Sequence, residues 1–287
     1  MDISVVLVTQ NSEARLDSVL RSVANFEEIV VVDLDSKDRT REIAESHGVS
    51  FYSFKPKEGT DHVAEARRYG VLNARNPWVF LLRDYEYVPR KLSEYVHRFI
   101  EENPDVYGLF IPKKRYVLHR FIKSAYPDYG LRLIEKHHSE ISPFDGSQPD
   151  VKGEVKSIPA SEMDLAIVML TIPLEVSWRK DNMHSKYEAA LRINRKVTFA
   201  TMLFSPFFRF LNSYLVRGAI LYGREGFIVS VRESFYNFMV LTKVHESQRI
   251  KQFNKQYENT GISIPGKTGA DWDSAPEQTG TLLMRQS

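Results

Sequence analysis

Two carboxylates follow a hydrophobic segment of the chain at a spacing that suits binding of a divalent cation. Asp84 and Glu86 come two residues apart, directly after the apolar run Trp78–Leu82. Carboxylates at this spacing can share Mg²⁺ or Mn²⁺ with the phosphates of a ligand, because both ions prefer oxygen ligands. Such a cation neutralises the charge that builds up on a diphosphate leaving group. The pair predicts a divalent metal site, although an Asp-x-Glu alone is also typical of a polar strand end.

Polar residues also follow the first two apolar runs of the chain. Thr9 and Asn11 end the first run, and Asp33 and Asp35 end the second. An acid at the end of a buried strand can accept hydrogen bonds from a ribose or a base N–H. The same segment suits helix capping, with Ser36 or Asp38 before the next helix. Both roles are compatible, since Asp33 can bind a ligand while Asp38 caps.

Short apolar runs alternate with helical patterns over the first 111 residues. Strands are predicted at Ile3–Thr9, Glu28–Asp33, Val49–Phe54, Trp78–Leu82 and Tyr107–Ile111, and helices after Asn11 and over Arg41–His47, Asp61–Ala74 and Leu92–Glu101. This alternation predicts an α/β fold with a mostly parallel, doubly wound sheet. Ligands of open α/β sheets bind beyond the carboxyl ends of the strands. The polar residues that follow these strands therefore belong at the expected ligand site.

Composition and missing motifs exclude several classes of protein. The chain has 287 residues, of which 43% are hydrophobic and 26% charged, as in an ordinary globular protein. The absence of cysteine excludes a disulfide framework and a thiolate zinc site. No Gly-rich phosphate loop follows a strand, which disfavours a dinucleotide oxidoreductase and a P-loop enzyme. The N-terminus resembles neither a signal peptide nor an anchor, and no uncharged stretch reaches the roughly 18 residues of a membrane span.

The pattern changes after about residue 176 to helices that are rich in aromatic residues and in Lys and Arg. An apolar helix face flanked by basic residues is typical of a helix in a membrane interface. The alternative is a helical subdomain that packs its aromatics on the rest of the protein. The Ser205-Pro206 step is expected to kink or restart a helix. The predicted division is a catalytic domain over residues 1–176, a helical region on the acceptor and membrane side over 177–255, and a flexible polar tail over 256–287.

Several segments of the chain resemble a known family. The strings ISVVLVTQNSEARLDSVLRSV, EEIVVVDLDSKDRTREIAESHGV and WVFLLRDYEYV are similar to family 2 inverting glycosyltransferases of the GT-A fold. The segment Tyr126–Leu133 and the run from Lys186 to Glu246 resemble bacterial lipopolysaccharide core glycosyltransferases, which typically transfer glucose onto a heptose of the inner core. The resemblance covers roughly residues 3–246.

The resemblance implies a role for each matched residue. The nucleotide-sugar side would comprise Thr9, Asn11, Glu13, Asp33, Asp35, Arg67 and Asp84, with Asp33 on the base and Arg67 facing the phosphates. Asp35 stands where the family usually has Gly. Asp84 and Glu86 would hold the metal in place of the family's Asp-x-Asp. Asp128 and Arg132 would shape the sugar and acceptor side.

One segment departs from the pattern of the subgroup. The subgroup usually carries Val-His-Glu after the acceptor loop, whereas this chain has Gly153-Glu154-Val155-Lys156-Ser157. Inverting transfer needs a general base that takes a proton from the acceptor hydroxyl. Ser157 cannot serve as that base, so Glu154 and Asp150 from the same loop are the candidates.

The sequence thus predicts a metal-dependent, inverting hexosyltransferase. It would move a sugar, with glucose as the first candidate, from a UDP-sugar to a lipid-linked glycan such as the lipopolysaccharide inner core. It would work as a peripheral protein on the cytoplasmic face of the inner membrane. One alternative is a transferase of the same fold that serves a capsule or another surface glycan. Another is a homologue that binds its ligand but has lost catalysis. No nucleic-acid recognition motif is present, so no nucleic-acid partner is expected.

Overall fold

The computed structural model describes residues 1–55, 62–118, 120–123, 126–141, 148–171 and 174–258. Its strands are β1 (Ile3–Thr9), β2 (Glu28–Asp33), β3 (Ser50–Ser53), β4 (Trp78–Arg83), β5 (Glu86–Tyr87), β6 (Val106–Val117), β7 (Arg120–Phe121), β8 (Asp128–Glu135), β9 (Ser139–Glu140), β10 (Asp150–Val151), β11 (Glu154–Ser157) and β12 (Ile167–Met169). Its helices are α1 (Leu16–Ser22), α2 (Thr40–Ser46), α3 (His62–Asn73), α4 (Arg90–Glu102), α5 (Leu174–Leu191), α6 (Phe199–Leu211) and α7 (Gly223–Glu258).

The main sheet has the order β3-β2-β1-β4-β8-β6-β12-β5. Strands β3, β2, β1 and β4 pair in parallel, as the sequence predicts. Strand β8 then runs antiparallel between β4 and β6, and β12 pairs in parallel with β6. The α/β fold is confirmed, and the antiparallel insertion of β8 is a feature that the sequence pattern does not predict.

Two apolar cores cover the two faces of the sheet. On one face, the odd residues of β1 pack with α1, α2 and α4. On the other face, Val6 and Val8 pack with Val30, Val32 and α3. Gly70 lets α3 approach β1 closely, because a Cβ there would lie 2.5 Å from Cγ1 of Val6. Burial on both faces explains why these strands read as continuous apolar runs.

The chain divides into two compact units, one of Met1–Ser177 with Leu211–Ser230, and one of Trp178–Phe210 with the chain from Val231 onward. The boundary after Ser177 lies next to the predicted boundary after residue 176. Leu211–Ser230, however, groups with the N-terminal unit. Helix α7 continues to Glu258, so residues 256–258, expected to begin the tail, are helical. Residues 259–287 of that predicted tail lie outside the described residues.

Helix α6 in the second unit carries no buried residue. Its large apolar side chains that are more than half exposed are Phe199, Leu203, Phe204, Phe207 and Phe208. The helix runs through Pro206 without restarting, so of the two outcomes expected there, a kink or a restart, the restart is wrong. Ser234 donates a hydrogen bond to the carbonyl of Pro206 at 2.8 Å. In the described part of the chain, no helix has both the length and the apolarity needed to cross a bilayer.

Candidate functional site

The loops after β1 and β2 are joined by one buried carboxylate. Asp33, at the end of β2, pairs with Thr9 in the sheet register and is 4% exposed. Its carboxylate accepts hydrogen bonds from Oγ1 of Thr9 at 2.9 Å and from the backbone N–H and Oγ of Ser36 at 2.9 and 2.5 Å. Thr9 and Asp33 are therefore together as predicted, and their contacts in this structure fix the two loops against each other.

Asn11 and Asp35 extend this connection toward the surface. Both adopt the left-handed backbone conformation, with φ of 49° and 53°, which Asn and Asp tolerate better than most residues. The side chain of Asn11 accepts a hydrogen bond from the backbone N–H of Lys37 at 2.9 Å. Asp35 is exposed, and the ammonium of Lys37, 2.7 Å away, lowers the pKa of this carboxyl. The Asp in place of the family's Gly thus occupies a position where φ is positive.

Glu13 ties the β1 loop to the start of α2. Its backbone N–H donates to Asp38 at 3.0 Å, and its carboxylate accepts from the backbone N–H of Arg39 at 3.1 Å. Asp38 also accepts hydrogen bonds from the backbone N–H and the hydroxyl of Thr40. The polar residues of both loops therefore form one network at the carboxyl edge of β1 and β2.

Asp84 lies at the same edge, because β4 pairs with β1 so that Arg83 is opposite Val8. Its carboxylate Oδ2 accepts a hydrogen bond from Oγ of Ser12 at 2.6 Å and from Nη2 of Arg15 at 2.9 Å. Both side chains of the Arg15–Asp84 ion pair are largely buried, at 16% and 9% exposure. Asp84 thus connects the end of β4 to the loop that follows β1.

Glu86 is fully buried and has a different arginine partner. Nη2 of Arg132 on β8 donates to its Oε1 at 2.5 Å, and the backbone N–H of Arg83 donates to its Oε2 at 3.1 Å. Short strand β5 places Glu86 opposite Met169 of β12. Arg132 was predicted on the sugar and acceptor side, and the structure pairs it with the predicted metal ligand.

These contacts test whether the site fits the divalent cation that the family resemblance implies. A hard cation needs six or more oxygen ligands, several of them from the protein or from phosphates. Asp84 and Glu86 each already neutralise an arginine, and Glu86 has no exposed surface. Among the described residues, no group of three or more His, Asp or Glu side chains could hold a metal. The residues as they stand do not fit a divalent cation.

Basic residues gather beside Glu86 at the ends of β4, β6 and β8. We call Arg83, Lys113, Arg115 and Arg132 the basic cluster. Asp128, opposite Lys113 in the β6–β8 register, accepts contacts from Lys113 at 3.2 Å and from Arg115 at 3.1 Å. Among the described residues, four cations thus lie beside two carboxylates, Glu86 and Asp128, and Arg83 makes a further interaction.

Electrostatics within the basic cluster shift two pKa values. Burial, together with the nearby Arg132, lowers the pKa of Lys113 to about 8. Burial by itself would raise the pKa of Asp128, but Lys113 and Arg115 outweigh it and hold that pKa below its usual value. Burial in the first place, and Arg132 in the second, thus disfavour the charged ammonium of Lys113.

Three arginines around these carboxylates carry a buried donor that has no partner. These donors are the Nε atoms of Arg15, Arg115 and Arg132. Buried polar groups are nearly always hydrogen-bonded in native proteins. Donors of this kind beside an excess of positive charge are suited to an anionic ligand.

Arg67 and the two base candidates complete the predicted set. Arg67 is buried on α3, 7% exposed, and makes interactions there. Glu154 begins β11 and pairs with Val106 at the start of β6. Val106 comes seven residues before Lys113 on the same strand, which at ~3.3 Å per residue separates this end of β6 from Lys113 by about 23 Å. Asp150 pairs with Glu140 on β9, which follows the far end of β8. The register thus places Glu154 away from the basic cluster.

The sequence interpretation missed Arg15, Arg83, Lys113 and Arg115. A usable signal was present, since Pro112-Lys113-Lys114-Arg115 follows an apolar strand and Arg83 directly precedes Asp84. Alternation along a strand puts Lys113 and Arg115 on one face and Lys114 on the other.

Comparison with known proteins shows which family the N-terminal part of the chain is similar to. Residues 4–144 match the family model described as Glycosyl transferase family 2. This segment is just under half of the chain, and its match supports the resemblance to family 2 glycosyltransferases.

Individual relatives are distant but match over most of their length. The chain is 22% identical over 261 residues to the lipopolysaccharide core biosynthesis glycosyltransferase LpsC of Rhizobium meliloti, covering 88% of this chain and 94% of that protein. It is 23% identical over 264 residues to an uncharacterized glycosyltransferase of Rickettsia bellii, covering 85% and 86%. Among solved structures, residues 1–349 of S. aureus TarS match with a TM-score of 0.47 at 14% identity, covering 88% and 92% of the two chains.

Proposed function

We propose that this protein is an inverting transferase that moves a sugar, with glucose as the first candidate, from a UDP-sugar to a lipid-linked glycan such as the lipopolysaccharide inner core. The observation that carries the proposal is the network of Thr9, Asn11, Glu13 and Asp33 at the carboxyl edge of β1 and β2 in a family 2 domain. This edge is where open α/β sheets bind nucleotides. The similarity to LpsC supports the choice of acceptor.

The chemistry at this site divides between donor and acceptor. On the donor side, the joined loops of β1 and β2 would bind the nucleoside, and Arg67 would face its phosphates. On the acceptor side, Asp128 lies beside Lys113 and Arg115, which lower its pKa and make it a weak base. The group that takes the acceptor proton is therefore left unassigned.

The exposed aromatics of α6 support a peripheral position on the membrane that contains the acceptor. A helix with exposed Phe and Leu and a nearby arginine, Arg209, can insert its apolar side chains into the headgroup layer. We place the protein on the cytoplasmic face of the inner membrane, where nucleotide sugars are available.

A transfer assay with a panel of donors and acceptors tests the proposed reaction. UDP-glucose, UDP-galactose and UDP-N-acetylglucosamine are each incubated with lipopolysaccharide truncated after the heptoses, and with a lipid-linked capsule precursor as the alternative acceptor. We expect release of UDP with UDP-glucose and truncated lipopolysaccharide, together with a mass gain of one hexose on the acceptor. Transfer only to the capsule precursor, or from none of the three UDP-sugars, contradicts the proposal.

Flotation with lipid vesicles tests the membrane position. We expect the full chain to float with vesicles that contain phosphatidylglycerol and to lose this binding when Phe204→Glu and Phe208→Glu are combined. Leu191→Glu, at the exposed end of α5, is the matched control and should bind like the unchanged chain. Equal flotation of the Phe204→Glu, Phe208→Glu variant contradicts a role for α6.

A binding protein without catalysis is the second candidate. The observation that favours it is the distance of Glu154 from the basic cluster. This candidate predicts UDP-sugar binding with no turnover on any acceptor of the panel. Measurable hexose transfer above the rate of a heat-denatured sample excludes it.

A further inference from the structure

We infer that the basic cluster binds the diphosphate of a nucleotide sugar directly, in place of the divalent cation on which the family relies. The inference rests on the proposed function for the identity of the nucleotide. It concerns Arg83, Lys113, Arg115 and Arg132, all within the first compact unit. The ligand class is a diphosphate, as found in a nucleoside diphosphate sugar.

The first step is that both predicted metal ligands are committed to arginines. A cation bound by Asp84 and Glu86 would compete with Arg15 and Arg132 for the same carboxylate oxygens. Release of either arginine would leave a largely buried guanidinium without its counter-charge, which is unfavourable. The carboxylates therefore serve to position the arginines.

The second step is the sign of the local charge. Among the residues that the structure describes, four cations lie beside two carboxylates, and the burial of Lys113 near Arg132 already lowers the Lys113 pKa. A divalent cation placed here would be repelled by the cluster, whereas a diphosphate would neutralise its excess charge. Hydrogen bonds from Lys or Arg to a negatively charged phosphate oxygen are also among the strongest in proteins.

The third step is the geometry of the donors. Nε of Arg115 and Nε of Arg132 are buried without a hydrogen-bond partner, although both arginines engage carboxylates through Nη2. The planar guanidinium offers its donors as a fork that matches phosphate oxygens. Gly130 makes room for Arg132, because a Cβ at that position would lie 2.9 Å from Nε.

The fourth step is position in the sheet. Strand β6 is antiparallel to β8, and β8 is antiparallel to β4, so the later residues of β6 reach the same edge as the end of β4. Lys113 and Arg115 therefore lie at the edge that also carries Thr9, Asp33 and Asp84. A nucleoside bound by the β1 and β2 loops would have its diphosphate directed to neighbouring strands of this edge.

Calorimetric titration of the full-length protein tests the inference, with UDP and pyrophosphate as probes and each titration run in excess EDTA and in excess Mg²⁺. We expect UDP to bind in EDTA with an affinity within about twofold of that in Mg²⁺. The double variant Lys113→Met, Arg115→Met should weaken both probes by about tenfold or more, since it removes two charge-assisted contacts. Lys114→Met is the matched control, because it removes the same charge from the opposite face of the same strand. It should bind UDP like the unchanged chain, and thermal unfolding should show that the variants are folded.

The outcomes separate this inference from the proposed function. Binding of UDP or pyrophosphate that requires Mg²⁺, or that the double variant leaves unchanged, overturns the inference. Failure of both probes to bind in EDTA overturns it as well. If pyrophosphate binds in EDTA through the basic cluster but no UDP-sugar supports transfer, the inference stands and the proposed function fails. If sugar transfer occurs but only with added Mg²⁺ or Mn²⁺, the proposed function stands and the inference fails.

Discussion

The carboxylates in the parallel and antiparallel parts of the sheet have different kinds of partners. At the ends of β1 and β2, the carboxylate of Asp33 accepts hydrogen bonds from hydroxyl and backbone donors. At the ends of β6 and β8, carboxylates are outnumbered by Lys and Arg, and buried donors have no partner. The carboxylate of Asp33 already has its donors, whereas the basic cluster has the charge and the donors to accept an anion. The comparison indicates that polar strand ends crosslink two loops in one half of this sheet, and it agrees with the anion site that we infer in the other half.

The largest expected effect is on stability when the buried pair in the antiparallel part is broken. Arg132→Met should lower the free energy of unfolding by about 3–5 kcal/mol, because it leaves Glu86 charged, buried and without its partner. Urea denaturation measures this change. The double variant Glu86→Gln, Arg132→Met should recover part of the loss. If Arg132→Met is as stable as the unchanged chain, the ion pair of Glu86 and Arg132 does not stabilise the cluster.

A smaller loss is expected when the crosslink in the parallel part is removed. Asp33→Ala should cost about 2 kcal/mol, because the hydroxyl of Thr9 and the backbone N–H of Ser36 lose their acceptor. Asp33→Asn keeps an acceptor oxygen and should cost less. Urea denaturation of both variants gives the difference. Equal stability of Asp33→Ala and the unchanged chain would contradict the role of Asp33 as a crosslink.

The pH dependence of UDP affinity distinguishes the two edges further. Lys113 has a pKa of about 8, and the charged groups around it are Arg83, Glu86, Asp128 and Arg132. A bound diphosphate favours the protonated ammonium, so the affinity should be highest below pH 8 and should fall by up to about tenfold between pH 7 and pH 9.

Titration of UDP at several pH values measures this dependence, and Lys113→Met is the variant that should remove it. Lys114→Met should retain it. A UDP affinity that rises with pH would show that another group controls binding. So would a fall in the UDP affinity of Lys113→Met as large as that of the unchanged chain.

The smallest effect is expected at the acids that the sequence favoured as bases. Glu154→Gln and Asp150→Asn should change the transfer rate by less than about twofold, since β11 and β10 hold these residues away from the basic cluster. Initial rates of hexose transfer measure the effect. A loss of about a hundredfold in either variant would return that residue to the mechanism.

The parallel part of the fold follows closely from the sequence. The bounds of β1 and β2 equal the predicted ones, and α2 is shifted by one residue, since continuous β-branched runs and a closing Gly48 are strong local signals. Strand β6 was predicted to end at Ile111 but continues to Val117. Its polar second half interrupts the apolar pattern, and pairing with β8 and β12 keeps it extended.

The candidate site follows from the sequence only in part. The positions of Thr9, Asp33 and Asp84 after strands placed them correctly at one edge. Their partners could not be predicted in the same way, because Ser12 and Asp84 are 72 residues apart and Glu86 and Arg132 are 46 apart. Local spacing carries no information about contacts of that range. The interpretation of Asp84 and Glu86 as a metal pair considered the carboxylates without the arginines that the fold brings to them.

Phosphorus NMR of UDP with the full-length protein in excess EDTA tests the central claim most directly, because it observes the diphosphate itself. The account predicts that both phosphorus resonances of UDP shift on binding without metal, that Lys113→Met, Arg115→Met abolishes the shift, and that Lys114→Met preserves it. Resonances that stay at their free positions until Mg²⁺ is added would contradict the claim that the basic cluster takes the place of the metal.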